Sequence, residues 1–186
     1  DSPKTGAYAK SKTLAEKAAW ELMDKAGRHD DLAVINPAAI LGPLLDEDPG
    51  TSAALVSRLL DGKLPAVPKL GMSIVDVRDV AALHVDAMTN PAAAGQRCIA
   101  SEGTYRMADL ARAMKPAFPD RRIPTAELPN VIVRIAALFD RDIAGNIHEL
   151  GALKRLDGHR GSERLGRPVI TAADSAIATG KSLIDH

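Results

Sequence analysis

Apolar positions recur at helical spacing from Gly6 to about Ala26. Leu14, Ala18, Leu22 and Ala26 form one i,i+4 row, and Ala15, Ala19 and Met23 form the next. Gly27 stands where a C′ glycine ends a helix. Asp31-Leu-Ala-Val-Ile-Asn36 then reads as a short buried strand closed by Pro37. Turn residues dominate from Pro37 to Pro49, with Gly42-Pro43 and Asp46-Glu-Asp-Pro-Gly50, which predicts a loop. A helix is predicted over Ser52 to Leu60, with Ala53 or Ala54, Val56 and Leu60 inward, and a Pro/Gly-punctuated loop over Lys63 to Ser73. Asp79 can cap a helix over Val80 to Met88, with Val80, Ala81, His84, Ala87 and Met88 on one side.

Arg97 to Ala100 suggests another short strand. Met107, Leu110, Ala111 and Met114 show the i, i+3, i+4, i+7 pattern of a helix stopped by Pro116 and Pro119. Pro129 opens an apolar helix through Val131, Ile132, Ile135, Ala136 and Phe139, and Asp174 to Leu183 is helical again. Helices separated by short buried strands indicate an α/β fold.

Composition narrows the function. The 186 residues are 46% hydrophobic and 26% charged, which is globular rather than disordered. Twenty-four basic residues balance 24 acidic ones, so no net field draws the chain to nucleic acid or an anionic membrane. No apolar run reaches the roughly 18–20 residues of a membrane span. Cys98 is the only cysteine, which excludes a disulfide framework and fits a reducing cytoplasm. Aromatic residues are only 3%, too few for base-stacking platforms.

The candidate chemistry lies in the first helix. On a wheel of about 100° per residue, Lys12 falls near 40° from Tyr8, in the middle of the stripe the helix is expected to bury. A lysine there needs a partner. An unperturbed tyrosine holds its proton to a pKa near 10, and an ammonium one turn away favours the phenolate. Such a pair serves as a general acid for a carbonyl that receives hydride. The competing reading is a lysine that snorkels from the first turns to solvent. Other residues read as structure: His84 as a core histidine, Trp20 as a core anchor, Cys98 as a small core residue, Tyr105 as packing after a Gly103-Thr104 turn. His148, Glu149 and His159 lack metal-site spacing.

The run Tyr8-Ala-Lys-Ser-Lys12-Thr-Leu-Ala-Glu-Lys-Ala-Ala-Trp20 resembles the active-site helix of the short-chain dehydrogenase/reductase superfamily. It is most similar to the extended branch that includes dihydroflavonol 4-reductase, cinnamoyl-CoA reductase and microbial aldehyde reductases, and that branch is grouped with the NAD-dependent epimerase/dehydratase family. Four further segments resemble the family in order: Asn36 to Pro43, Ile74 to Ala81, Arg97 to Ser101, and Leu165-Gly-Arg-Pro168 with the helix after it.

The resemblance implies the carboxyl half of a Rossmann-like doubly wound parallel sheet plus a small, mostly helical substrate lobe. Residues 1–36 and 74–100 would belong to the dinucleotide-binding domain, and 37–73 and 101–186 to the substrate lobe. It implies NADP, with NAD as the alternative, and a small-molecule ketone or aldehyde substrate. Tyr8 would be the proton donor, Lys12 would hold the nicotinamide ribose, and Pro37, Ala38 and Ile40 would line the cofactor. The loops Leu41 to Pro49 and Lys63 to Ser73 would wall the pocket.

The family's Gly-rich phosphate turn and catalytic Ser or Thr precede the tyrosine and have no counterpart here. The chain alone is therefore expected to be inactive, and to associate with another copy or with a missing amino-terminal half. Rival readings are a nucleotide-sugar epimerase or dehydratase that retains its NAD, a dinucleotide-sensing regulator without chemistry, and an assembly module.

Overall fold

A computed structural model describes residues 6–46, 50–136, 138 and 150–185. In chain order the main elements are α1 (Ala7–Lys25), β1 (Val34–Pro37), β2 (Ala39–Leu41), α2 (Gly50–Leu60), β3 (Gly71–Asp76) and α3 (Val77–Thr89). There follow β4 (Arg97–Ala100), β5 (Gly103–Arg106), α4 (Met107–Met114), α5 (Asn130–Ala136), α6 (His159–Leu165) and α7 (Ala172–Asp185). The fold is mixed α/β with parallel strands, as the pattern predicts.

Two small sheets meet at a corner. β1 runs parallel to β4, from Val34 opposite Arg97 to Pro37 opposite Ala100. One residue later the chain changes partner. The Ala38 N–H donates to the Ala100 carbonyl at 2.9 Å, and β2 then pairs in parallel with β3, Ala39 opposite Ile74 and Leu41 opposite Asp76. β5 adds to the other edge of β3 antiparallel, Gly71 opposite Arg106.

Two apolar cores lie against these sheets. The larger joins Val56 and Leu59 of α2, Leu110 and Met114 of α4, and Ala176 of α7 to Leu41 and Ile74. Full burial of each Leu or Met is worth about 1.5–3 kcal/mol, so this cluster is the main source of stability. The second joins Val75, Val80, Leu83 and Ala100, with Ile35 and Leu165 packed against it. α6 reaches it by close approach: a Cβ on Gly161 would lie 2.8 Å from the Ile99 carbonyl oxygen, and one on Gly158 would collide with that of Ser101.

The helices predicted from periodicity are present, and Gly27 ends α1 at φ 68°. The strands β2, β3 and β5 were not predicted. β2 and β5 are short, and β3 starts at Gly71 inside the stretch Lys63 to Ser73 predicted as loop; the Pro, Gly and Asp around all three carry turn preferences that mask them. At α3 the cap is Asp76, whose carboxylate accepts from the Arg78 N–H. Asp79 lies inside the first turn, 0% exposed, accepting from the Ile170 N–H at 2.8 Å and paired with Arg167 at 2.7 Å. It fastens the segment before α7 instead of capping α3.

The inward face of α3 is Asp79, Val80 and Leu83, whereas His84 is exposed and Met88 is 85% exposed. His84 is therefore not a core histidine. Its Nδ1 contacts the Val80 carbonyl within its own helix. Trp20 is half-buried and stacks on His29 with ring centroids 5.0 Å apart, outside both cores. Cys98 is buried, and burial pushes its thiol up. Tyr105 is packed in β5, where burial and then the Glu102 carboxylate push its hydroxyl up to about 12. Phe139, His148 and Glu149 lie outside the described residues.

Candidate active site

The site is built on α1 and the β1–β2 corner. α1 buries none of its residues. Its half-buried positions are Glu16, Ala19, Trp20 and Met23, which fall at about 80°, 20°, 120° and 60° from Tyr8. Lys12, near 40°, lies on this protein-facing side, and Tyr8 sits at its margin. The apolar row expected to be buried points the other way: Leu14 is 52% and Leu22 67% exposed. The prediction of a buried stripe around Tyr8 and Lys12 is thus corrected. The helix turns Glu16, Ala19, Trp20 and Met23 toward the protein, so a carboxylate stands in the middle of a face that is otherwise apolar and aromatic.

Those groups converge on one carboxylate. Glu16 Oε1 accepts from Arg97 Nε at 2.6 Å and from Trp20 Nε1 at 3.4 Å, and Oε2 accepts from Asn36 Nδ2 at 3.0 Å. Burial raises the Glu16 carboxyl, but the donors Asn36, Arg97 and Trp20 outweigh it and leave the group below its ordinary value. One side chain of α1 therefore holds a residue from each strand of the β1–β4 pair.

The sequence carried this residue in the Leu-Ala-Glu-Lys run without giving it a role. The usable signal was its place four residues after Lys12. At the carboxyl end of α1, His29 Nδ1 lies 2.6 Å from Asp24 Oδ1, and that contact, with Asp30, raises the imidazole.

Tyr8 and Lys12 are brought together. Lys12 Nζ lies 5.7 Å from the Tyr8 ring centroid, a cation–π distance, and both side chains are exposed, Tyr8 at 76%. They stand about 12 Å and 6 Å along the helix axis from Glu16. Pro37, Ala38 and Ile40 form the corner that begins beside Asn36, at the carboxyl end of β1, where open α/β sheets bind ligands. Pro37 is exposed, and Ala38 and Ile40 are half-buried.

The turn after β2 is fixed from a distance. Thr179 of α7, fully buried, accepts from the Gly42 N–H at 2.7 Å, and its hydroxyl lies 2.9 Å from the Gly42 carbonyl. Gly42 holds φ 131°, and a Cβ there would meet Val77 Cγ1 at 2.7 Å, so only glycine fits.

A groove of about 780 Å³ runs along Leu32, Ala33 and Ile35 to His84, Met88 and Asn90. It lies beside the amino-terminal part of β1, away from the Pro37 end. The loops expected to wall a substrate pocket take no part in its lining, and residues 47–49 of the first loop are outside the described residues.

No protein-family model matches the chain. A cinnamoyl-CoA reductase of Medicago truncatula is 35% identical over 117 residues, 63% of this chain and 35% of that protein. The NADPH-dependent methylglyoxal reductase of Saccharomyces cerevisiae is 35% identical over 126 residues, 63% of this chain and 37% of the enzyme. Its crystal structure with NADPH superposes with TM-score 0.70 at 27% identity, covering 96% of this chain and 51% of that one. A nucleoside-diphosphate-sugar epimerase of Pseudomonas aeruginosa, 19% identical, shares the fold at TM-score 0.73. The chain spans over a third of the length of the curated relatives it matches and about half that of the solved structures. Over that part of their length the chain is similar in sequence to these reductases and shares their Rossmann-like fold.

Proposed function

We propose that the protein containing this chain is an NADP(H)-dependent reductase of a ketone or aldehyde. The observation that carries the reading is the Tyr8–Lys12 pair, one turn apart with the ammonium 5.7 Å from the ring, on a helix anchored beside the carboxyl end of β1. Relatives named as NADPH-dependent and cinnamoyl-CoA reductases, each 35% identical, support it over the epimerase reading, whose neighbour shares only the fold.

The residues present fit one end of the cofactor. Lys12 offers an exposed ammonium to ribose hydroxyls, and Pro37, Ala38 and Ile40 offer a corner for the nicotinamide. The Ala38 N–H is committed to the Ala100 carbonyl, so contact there is made by carbonyl and side-chain atoms. Among the described residues no glycine-rich turn leads from a strand into a helix N-terminus, and a pyrophosphate has no cradle. The bound cofactor supplies the hydride. Tyr8 then gives its phenolic proton to the carbonyl oxygen, and the Lys12 ammonium stabilises the phenolate left behind and orients the ribose. We propose accordingly that the 186-residue chain by itself neither retains NADP(H) nor turns over substrate. Calorimetry with NADPH checks the first, with tight binding as the refuting result.

The reductase reading is tested by NADPH oxidation with a panel of aldehydes and ketones, using the full-length protein. Tyr8→Phe is expected to cut kcat by about 10²–10⁴ while cofactor affinity changes little. A variant that keeps wild-type turnover refutes the role of Tyr8.

Association is proposed from the same region. Among the described residues β1 pairs only with β4, which leaves its other edge open beside the 780 Å³ groove. The edge is suited to a further strand, from a second copy or from the part of the relatives' fold that the match does not span.

A further inference from the structure

We propose that Glu16 is the positioning residue of the site: its carboxylate sets the seating of α1 on the β1–β4 pair, and through it the placement of Tyr8 and Lys12 relative to the corner at Pro37. Its consequence for turnover rests on the reductase reading; the seating itself does not.

A helix of 19 residues normally docks by an apolar stripe, yet α1 has no buried residue, and its apolar row faces outward. Beside the half-buried Ala19, Trp20 and Met23, Glu16 supplies the side-chain hydrogen bonds from α1 to the strands, and its side chain is 18% exposed. Two oxygens take three donors from three elements: the guanidinium of Arg97 at the start of β4, the amide of Asn36 in β1, and the indole of Trp20 one turn further along α1.

Arg97 is opposite Val34 and Asn36 opposite Ile99, so the two anchor points lie on neighbouring strands two positions apart in register. Two anchors on different strands fix both the slide of the helix along the sheet and its tilt across it, which one contact cannot. Asn36 also directly precedes Pro37 in the chain. The bond that holds α1 therefore ends on the residue next to the cofactor-facing corner, and helix and corner move together. Lys12 is one turn and Tyr8 two turns before Glu16 on this protein-facing side, so a small tilt at Glu16 is magnified at the phenol. General acid catalysis requires hydrogen-bond reach, and sub-ångström displacements are enough to lose it.

Two arms test the proposal. In this chain, amide hydrogen exchange across residues 7–19 and the emission of Trp20, the single tryptophan, report the seating. Glu16→Ala is expected to speed exchange of α1 by about tenfold or more, as the loss of charge-assisted hydrogen bonds implies, and to shift Trp20 emission to the red, with α4 amides unchanged. Glu16→Gln, which keeps an acceptor oxygen and the side-chain shape, is expected to fall between the two and serves if Glu16→Ala does not fold. In the full-length protein, Glu16→Ala is expected to lower kcat by about tenfold or more, with the KM for NADPH far less affected. Added to Tyr8→Phe it should cause little further loss, because it acts through that residue.

Unchanged α1 exchange and Trp20 emission in both variants overturn the seating. Losses that multiply in the double variant overturn the action through Tyr8. A wild-type protein that reduces no carbonyl defeats the reductase reading instead and leaves the exchange arm to decide the seating.

Discussion

At the scale of single residues, the site depends on a few polar groups whose protonation states are set by their neighbours. Glu16 is held below its ordinary value: burial opposes ionisation, but Asn36, Arg97 and Trp20 together favour it more. A carboxyl depressed in the folded state contributes stability above its unfolded pKa and loses that contribution as pH falls through the folded value. Acid titration of Trp20 fluorescence should therefore show a transition below the usual glutamate range, and Arg97→Gln should move it upward. An emission flat through that range would contradict it.

Little of this was visible from the wheel. Spacing placed Tyr8 and Lys12 on one face, but which side of α1 meets the protein was settled by Asn36 and Arg97, the latter 81 residues away from Glu16. Asp76 and Asp79 pose the same problem. Either can cap a helix that begins near residue 77, and the choice rests on Ile170, 91 residues from Asp79.

Among the elements, close approach and buried hydroxyls set the tolerances. α6 lies on β4 through Gly158 and Gly161, with no space for a Cβ on either. Gly158→Ala is expected to destabilise the fold by about 1–3 kcal/mol through overpacking, measured as a lower urea midpoint with unchanged slope. Gly166→Ala, where a Cβ meets nothing within 4 Å but φ is 60°, tests backbone strain without collision. Thr179 is a second such point. Thr179→Val keeps the volume but leaves the Gly42 N–H buried without its acceptor, at a cost of about 1–3 kcal/mol. Thermal unfolding of Thr179→Val beside Thr179→Ser, which keeps the hydroxyl, separates the bond from the packing.

The helices were legible because α4 repeats Met107, Leu110, Ala111 and Met114 at a strong period, and all four are buried. β2, three residues between Pro37 and Gly42, is too short to show any period, and its pairing with β3 is a long-range fact.

For the molecule as a whole, the edge of β1 that is unpaired among the described residues and the outward face of α1 are the surfaces on which association is proposed. Light scattering of the purified chain is expected to give a mass above 19.6 kDa, and charge placed on the edge strand by Ile35→Lys is expected to lower it. A monodisperse monomer counts against association. The fold class could be read from the sequence because helices and short strands alternate as far as Arg106, and the family likeness lay in motifs such as the run from Tyr8 to Trp20. The groove could not. It lies between residues of β1 and α3 that are some fifty positions apart, and nothing local in either marks it.

The tie between Gly42 and Thr179 spans 137 residues. A growing polypeptide makes Pro37, Ala38 and Gly42 early and Thr179 late, and loop closure over such a distance is slow and comes after local structure. During synthesis the turn after β2 thus stays unsecured until α7 has been made. The β1–β2 corner therefore gains this rigid neighbour only after α7 has been made and has folded against it.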